Sequence, residues 1–271
     1  MKPLDNHETW AKRLGVENPS EIGFDIEESK AFLKQIFEAP INIFPPVLSW
    51  YIRSKWLDVF KNIKPNAPIE VLELASGASV YVPNVIAKYY NNPQSKYITF
   101  NLNKKLTAQF KASTKDLPLA IDIVEDAAQN IEEYIGENKM DAVVFEHAIN
   151  DILQGMFAAR HGMDTIDTDW FEILPKMVEI MCAEYRNGTL DAAVKDEFVA
   201  LLKSCLHVLK PGGVMVFFHH MYQFDLEQGY DFALYENLVP IARKWVQDAG
   251  IGKEVFFDGF EPNWWMFIQK V

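Results

Sequence analysis

The sequence predicts an α/β fold: a doubly wound, mostly parallel sheet with helices on both faces. Three observations predict it. From Ile69 onward, strand-like and helix-like runs alternate, as they must when parallel strands are joined by crossover helices. The segment Ile69–Pro83 passes from an apolar strand through a turn of small residues into a helix, the way nucleotide-binding α/β domains open. The chain then closes on two strand-like runs, Glu254–Phe257 and Trp264–Gln269, flanking a turn with Gly259 and Pro262. That pair reads as an antiparallel hairpin at the sheet edge.

The elements follow in order. Ala31–Glu38 has the pattern of one helix. Pro45-Pro46 introduce a stronger one, in which Leu48, Tyr51, Ile52, Trp56, Val59, Phe60 and Ile63 make a single apolar stripe. Pro65–Pro68 stops it, so residues 1–66 read as an N-terminal helical cap on a domain covering 67–271. Strand-like runs are Ile69–Leu74, Tyr97–Leu102, Leu119–Val124, Ala142–Phe145 and Gly213–His219. Helical patterns at Val80–Tyr90, Leu106–Lys111 and Ala127–Ile135 separate the first four. From about 149 to 209 there is a helical insertion built of Gln154–Arg160, Trp170–Arg186 and Ala192–Leu209, broken at Asn187-Gly188. It follows a strand end, where it makes a natural lid or substrate wall. Tyr235–Ala249 is a last helix, stopped by Gly250.

Composition narrows the function. The net charge of -12, from 26 basic and 38 acidic residues, argues against a nucleic-acid partner, which needs a clustered basic face. The densest basic patch, Lys104, Lys105, Lys111 and Lys115, reads as one solvated helix face. No apolar run is long enough to span a bilayer, and Met1–Asn18 is polar and charged, so neither a membrane partner nor a secretory leader is expected. Cys182 and Cys205 lack metal spacing and read as buried thiols of a reducing compartment, with the cytoplasm as the expected location. The 19 Phe and 7 Trp residues are mostly core, with some free to line an apolar pocket.

Several ordered segments together resemble the class I S-adenosylmethionine-dependent methyltransferases, over about Ile69 to Val271. VLELASGAS is similar to the family's acidic residue and glycine-rich turn, and ITFNLN to the second strand, whose end meets the cofactor ribose. IVEDAA resembles the region facing adenine, MDAVVFEHAIND the fourth strand and the loop facing the methyl group, and LHVLKPGGVMVFF the fifth-strand motif. The resemblance implies a seven-stranded sheet with S-adenosyl-L-methionine as cofactor. It further implies methyl transfer to a small-molecule substrate, most naturally at oxygen or nitrogen, and allows a homodimer.

On that resemblance the cofactor-binding residues are Glu73, Ala75, Ser76, Gly77, Ser79, Asn101, Leu102, Asp126, Ala127, Glu146 and His147. Gly77 supplies a missing Cβ where the ligand approaches, and Ala75 and Ser79 stand where glycines are usual. Asn101 replaces an acidic residue; it reads either as a ribose partner or as a helix cap, in competition with Asn103. Asp126 reads equally as the adenine partner and as an N-cap. His147, His220 and Tyr222 are the catalytic candidates, the histidines because their pKa lies near neutrality. Asn150 and Asp151 read as orienting groups or, slightly better, as a helix cap. Strand alternation allows at most one of His219 and His220 to face inward. No spacing enforces a metal site. The replacements Ala75, Ser79 and Asn101 support an alternative: a non-catalytic cofactor-binding protein with a sensing or partner role.

Overall fold

The computed structural model describes residues 45–221 and 223–271. The expected helix Ala31–Glu38, most of the cap, Tyr222 and the side chain of Tyr51 lie outside the described residues. Helix α1 (Pro45–Ile63) is followed by β1 (Glu70–Leu74), α2 (Tyr81–Val85) with a π turn at Ile86–Tyr90, and β2 (Lys96–Phe100). Then come α3 (Lys104–Thr114), β3 (Ala120–Val124), a 3-10 turn at Ala128–Asn130, α4 (Ile131–Ile135) and β4 (Met140–Glu146). The insertion comprises α5 (Ile149–Arg160), α6 (Trp170–Arg186) and α7 (Leu190–Val208). It leads into β5 (Leu209–Phe218), α8 (Gln223–Glu227), α9 (Phe232–Tyr235), α10 (Leu238–Asp248), β6 (Lys253–Val255) and β7 (Trp265–Gln269).

The sheet has seven strands in the order β3-β2-β1-β4-β5-β7-β6. β1 to β5 are parallel, and β7 runs antiparallel to both neighbours. This is the mostly parallel, hairpin-closed sheet that the sequence predicts. Chain order reverses between β1 and β4, which opens a crevice beyond their carboxyl ends.

Every residue of β4 is buried, as a central parallel strand covered on both faces requires. Its side chains divide by parity. Ala142 and Val144 join the core on the α1 side with Ile52, Trp56, Val71, Val216 and Trp265. Val143 and Phe145 join the core under α5, α6, α7 and α10 with Leu72, Leu153, Phe198, Met215 and Trp245. The apolar stripe of α1 is therefore continuous with the core of the sheet.

The Lys-Pro-Gly-Gly turn belongs to the opposite end from the crevice. A Cβ on Gly213 would lie 2.9 Å from the Lys210 carbonyl oxygen and 3.1 Å from that of Asp141, so only glycine fits. Lys210 Nζ donates to Glu70 at 2.6 Å and to Asp141 at 3.0 Å, and Lys64 Nζ also donates to Asp141. Burial raises the pKa of Asp141, but the hydrogen bonds from Lys64, the Glu70 N–H and Lys210 outweigh it and leave the carboxyl below its ordinary value. No helix among the described residues is long and apolar enough to cross a membrane.

Candidate functional site

Asn101 clamps the turn after β1 at Gly77. Asn101, at the end of β2, accepts a hydrogen bond from the Gly77 N–H at 3.1 Å and donates its own amide to the Gly77 carbonyl at 2.6 Å. Gly77 has a φ of +58°, and Ala75 two residues earlier has a φ of +52°. A glycine suits that conformation; an alanine pays for it with roughly 1–2 kcal/mol of steric strain. The Ala75 N–H is fixed to the Phe100 carbonyl at 3.0 Å, so the turn persists despite the strain. Ala75→Gly is expected to stabilise the fold by about 0.5 kcal/mol, strain relief exceeding the added freedom of the unfolded chain. Urea denaturation checks this, and a loss of stability would show that the Ala75 methyl matters more than its φ.

This turn forms one wall of a cavity of about 240 Å³. Ala75, Gly77, Phe100, Asn101, Leu102 and Asn103 line it from the ends of β1 and β2, and Asp126 to Gln129 line it from the end of β3. Asp151, Ile152, Gly155, Met156 and Ala159 of α5, with Trp170, Glu197 and Leu201, close the other side. The cavity sits at the reversal of strand order, where an open α/β sheet binds ligands. Its walls are apolar with a few carboxyl groups, and among the described residues no Lys or Arg lines it.

The expected site residues divide into two groups. Ala75, Gly77, Asn101, Leu102, Asp126 and Ala127 line the cavity. Glu73, Ser76, Ser79, Glu146, His147 and His220 do not. Glu73 is fully buried beneath the turn, where the Tyr97 hydroxyl donates to it at 2.5 Å. Burial and the neighbouring Glu146 push its carboxyl well above the ordinary range. Ser76 accepts from the Thr99 hydroxyl, and Ser79 donates to Glu146 at 3.1 Å. These residues support the turn from below.

Beside the cavity lies a buried polar nest. Burial raises the pKa of Glu146 to about 7 and that of Asp151 to about 8, with Asp225 and then Glu146 adding to the shift at Asp151. His147 has a φ of +52°, and its Nε2 lies 2.8 Å from the His220 carbonyl oxygen. A carbonyl only accepts, so that nitrogen carries the proton. Burial lowers the His147 pKa to about 4, so the ring is neutral at physiological pH. This corrects the expectation of an imidazole tuned near neutrality.

Two further expectations are corrected. Asn150 and Asp151 do not cap α5; the cap position is Ala148, and both residues lie within the helix. The left-handed turn at His147 lets the helix begin immediately after β4. His219 and His220 are both buried, because β5 ends at Phe218 and strand alternation no longer applies. His219 stacks on His147 at 4.4 Å between ring centroids, and His220 packs on Phe218 and Trp264 at 5.1 and 5.5 Å. Asn103, not Asn101, caps α3, through the Leu106 N–H. Asp126 accepts from the Ala127 N–H, Asn130 and Tyr134, which together hold its pKa below the ordinary value and anchor the turn it precedes.

Thr165, Trp170, Glu197 and Leu201 of the expected insertion line the cavity, though the sequence singled out none of them by residue, and Gln129 was not expected there. Asn103 explains part of this: its amide donates to the carbonyls of Thr165 and Thr168 and draws that loop over the cavity. A bond spanning some sixty residues leaves no local signal. The basic patch on α3 is largely neutralised, with Lys104 on Asp167, Lys105 on Asp169 and Lys111 on Glu125. Among the described residues no group of three or more His, Cys, Asp or Glu side chains is placed to hold a metal ion.

No family model matches the sequence. No curated protein matches it either. Many solved structures do. A SAM-dependent methyltransferase from Aquifex aeolicus is 12% identical, with 91% of this chain and 98% of that chain covered and a TM-score of 0.45. The CurJ carbon methyltransferase is 13% identical over 96% of this chain and 64% of that chain, with a TM-score of 0.48. The [4+2]-cyclase SpnF is 14% identical over 60% of this chain and 43% of that chain, with a TM-score of 0.35.

Proposed function

We propose that this chain is an S-adenosylmethionine-dependent methyltransferase acting on a small-molecule acceptor, with methyl transfer to oxygen or nitrogen. The observation that carries the reading is the Gly77 turn, clamped by Asn101 beside Asp126 and Ala127 in a crevice at the reversal of strand order. Residues 67–271 would form the binding domain, with 1–66 as its cap.

The residues fit such a cofactor. Phe100, Leu102, Leu106 and Met156 give apolar walls for a purine, and Asp126 and Ala127 lie at its edge. Asn101 keeps one acceptor lone pair and one N–H beyond its bonds to Gly77, enough to meet a ribose hydroxyl. The carboxyl groups of the walls and the nest favour a cationic ligand. A bound S-adenosylmethionine supplies a methyl group on a positively charged sulfur. The protein's part is to align the acceptor with that methyl and to exclude water. His147, being neutral and hydrogen-bonded to the His220 carbonyl, positions the nest rather than serving as a strong base.

Incubation with methyl-labelled S-adenosylmethionine and a small-molecule extract tests this reading. Labelled product should accumulate together with S-adenosylhomocysteine; saturable cofactor binding with no labelled product would select the alternative, a non-catalytic binder. That alternative draws on the strained Ala75 and on an Asn101 already engaged with the turn.

A further inference from the structure

The inner wall of the cavity has a charge and hydrogen-bonding character that selects one kind of acceptor. We propose that the acceptor is a small amine, entering as an ammonium ion, and that Asp151 binds this group and removes its proton before methyl transfer to nitrogen. The proposal rests on the methyltransferase reading and names the substrate of the same site.

Two independent observations meet at Asp151, which both lines the cavity and borders the nest. The first is charge. Asp126, Asp151 and Glu197 line the cavity, and Glu146 and Asp225 stand close enough to Asp151 to perturb it. Among the described residues no Lys or Arg lines the cavity, Arg160 reaches it only through its 3.1 Å pairing with Glu197, and His147 is neutral. The second is hydrogen bonding. Glu146 Oε1, Asn150 Oδ1 and Gln154 Oε1 are buried and have no hydrogen-bond partner among the described residues. None of these residues lines the cavity itself, but Asn150 donates to Asp151, Gln154 lies one turn further along the same helix and Glu146 perturbs Asp151, and buried acceptors call for donors. An ammonium brings three donors and no acceptor.

The chemistry balances. In the fraction of the protein whose Asp151 is ionised, which grows as pH rises toward and past 8, the ammonium gives one proton to the Asp151 carboxylate and becomes a neutral amine. Its lone pair forms the nitrogen–carbon bond to the methyl group as the carbon–sulfur bond breaks, with that electron pair passing to sulfur. The product is a methylated ammonium and a neutral thioether, and the Asp151 proton leaves to solvent. A carboxyl raised to about 8 suits this exchange, because its pKa approaches that of the amine it serves. The groups facing it are Glu146 from β4, Asn150 from α5, Asp225 from α8, Tyr230, and His147 through its 3.9 Å approach to Asp225.

The test separates an extract by cation exchange at about pH 6, where amines are charged and retained. Each pool is offered to the full chain with methyl-labelled S-adenosylmethionine, and its effect on melting temperature is read without cofactor. The retained pool should take the label on nitrogen and raise the melting temperature, and Asp151→Asn should reduce labelling at least about tenfold and remove the thermal shift. Label confined to the unretained pool, label in neither pool while the cofactor binds, or undiminished labelling by a folded Asp151→Asn chain would each overturn the proposal. A chain that binds no S-adenosylmethionine overturns the methyltransferase reading, and the amine proposal with it.

Discussion

Replacing Asp151 with Asn is expected to make the protein more stable in mild alkali, by about 3 kcal/mol at pH 9 and by under about 1 kcal/mol at pH 5. The carboxyl is raised from 3.8 to about 8 by burial and by Asp225 and Glu146. A rise of that size corresponds to between about 5 and 6 kcal/mol. Asp151 faces the cavity and keeps part of its contact with solvent, which screens the charge and roughly halves that figure. The sign follows from proton binding. Between pH 4 and 8 the native state holds a proton that the unfolded chain has released, so stability is complete below the unfolded carboxylate range and falls as pH rises through 8. Glu146, raised to about 7, works in the same direction. Asn copies the protonated acid and keeps a carbonyl for the Asn150 amide, so it removes this loss. Urea denaturation at the two pH values measures the difference. Equal stability of the variant and the parent at pH 9 would mean that the Asp151 charge is already compensated. A stabilising substitution that reduces turnover is the usual mark of a group held in an unfavourable state for function.

Asn101→Ala should have the second largest effect, a loss of about 2 kcal/mol in stability with at least about tenfold weaker cofactor binding. Alanine removes two hydrogen bonds and leaves the N–H and carbonyl of Gly77 without their partner in a half-buried turn. The backbone at Gly77 and Ala75 has positive φ, and the Ala75 N–H bond to the Phe100 carbonyl fixes only the entry to the turn. Asn101→Asp offers a contrast. An aspartate still accepts from the Gly77 N–H but sets a carboxylate against the Gly77 carbonyl, so the turn should loosen while a ribose partner is gained. If Asn101→Ala binds cofactor as the parent does, the turn is held by packing and the clamp is incidental.

The fold was legible because its signals are local. Apolar runs of five to seven residues separated by helical patterns mark the strands, and the Trp170–Arg186 helix appears with the predicted bounds. Alternation of two cores along β4 follows from the same periodicity. The candidate site was less legible because its decisive contacts are not local. Asn101 and Gly77 are 24 residues apart, and nothing in ITFNLN shows that the amide turns back to the preceding loop. Asn150 and Asp151 have the composition of a cap, but the left-handed backbone at His147 starts the helix at Ile149. His219 and His220 obey strand alternation only if the strand continues, and it stops one residue earlier at Phe218. The small helix Gln223–Glu227, which carries Asp225 to the nest, has too few residues for a periodic signal.

The claim that the Gly77 turn is a cofactor site is tested most directly by titrating S-adenosylmethionine into the full chain in a calorimeter. The account predicts saturable one-to-one binding with a dissociation constant on the order of micromolar, weakened at least about tenfold in Asn101→Ala. No binding heat with the cofactor at millimolar concentration, or equal affinity in the two proteins, would contradict it.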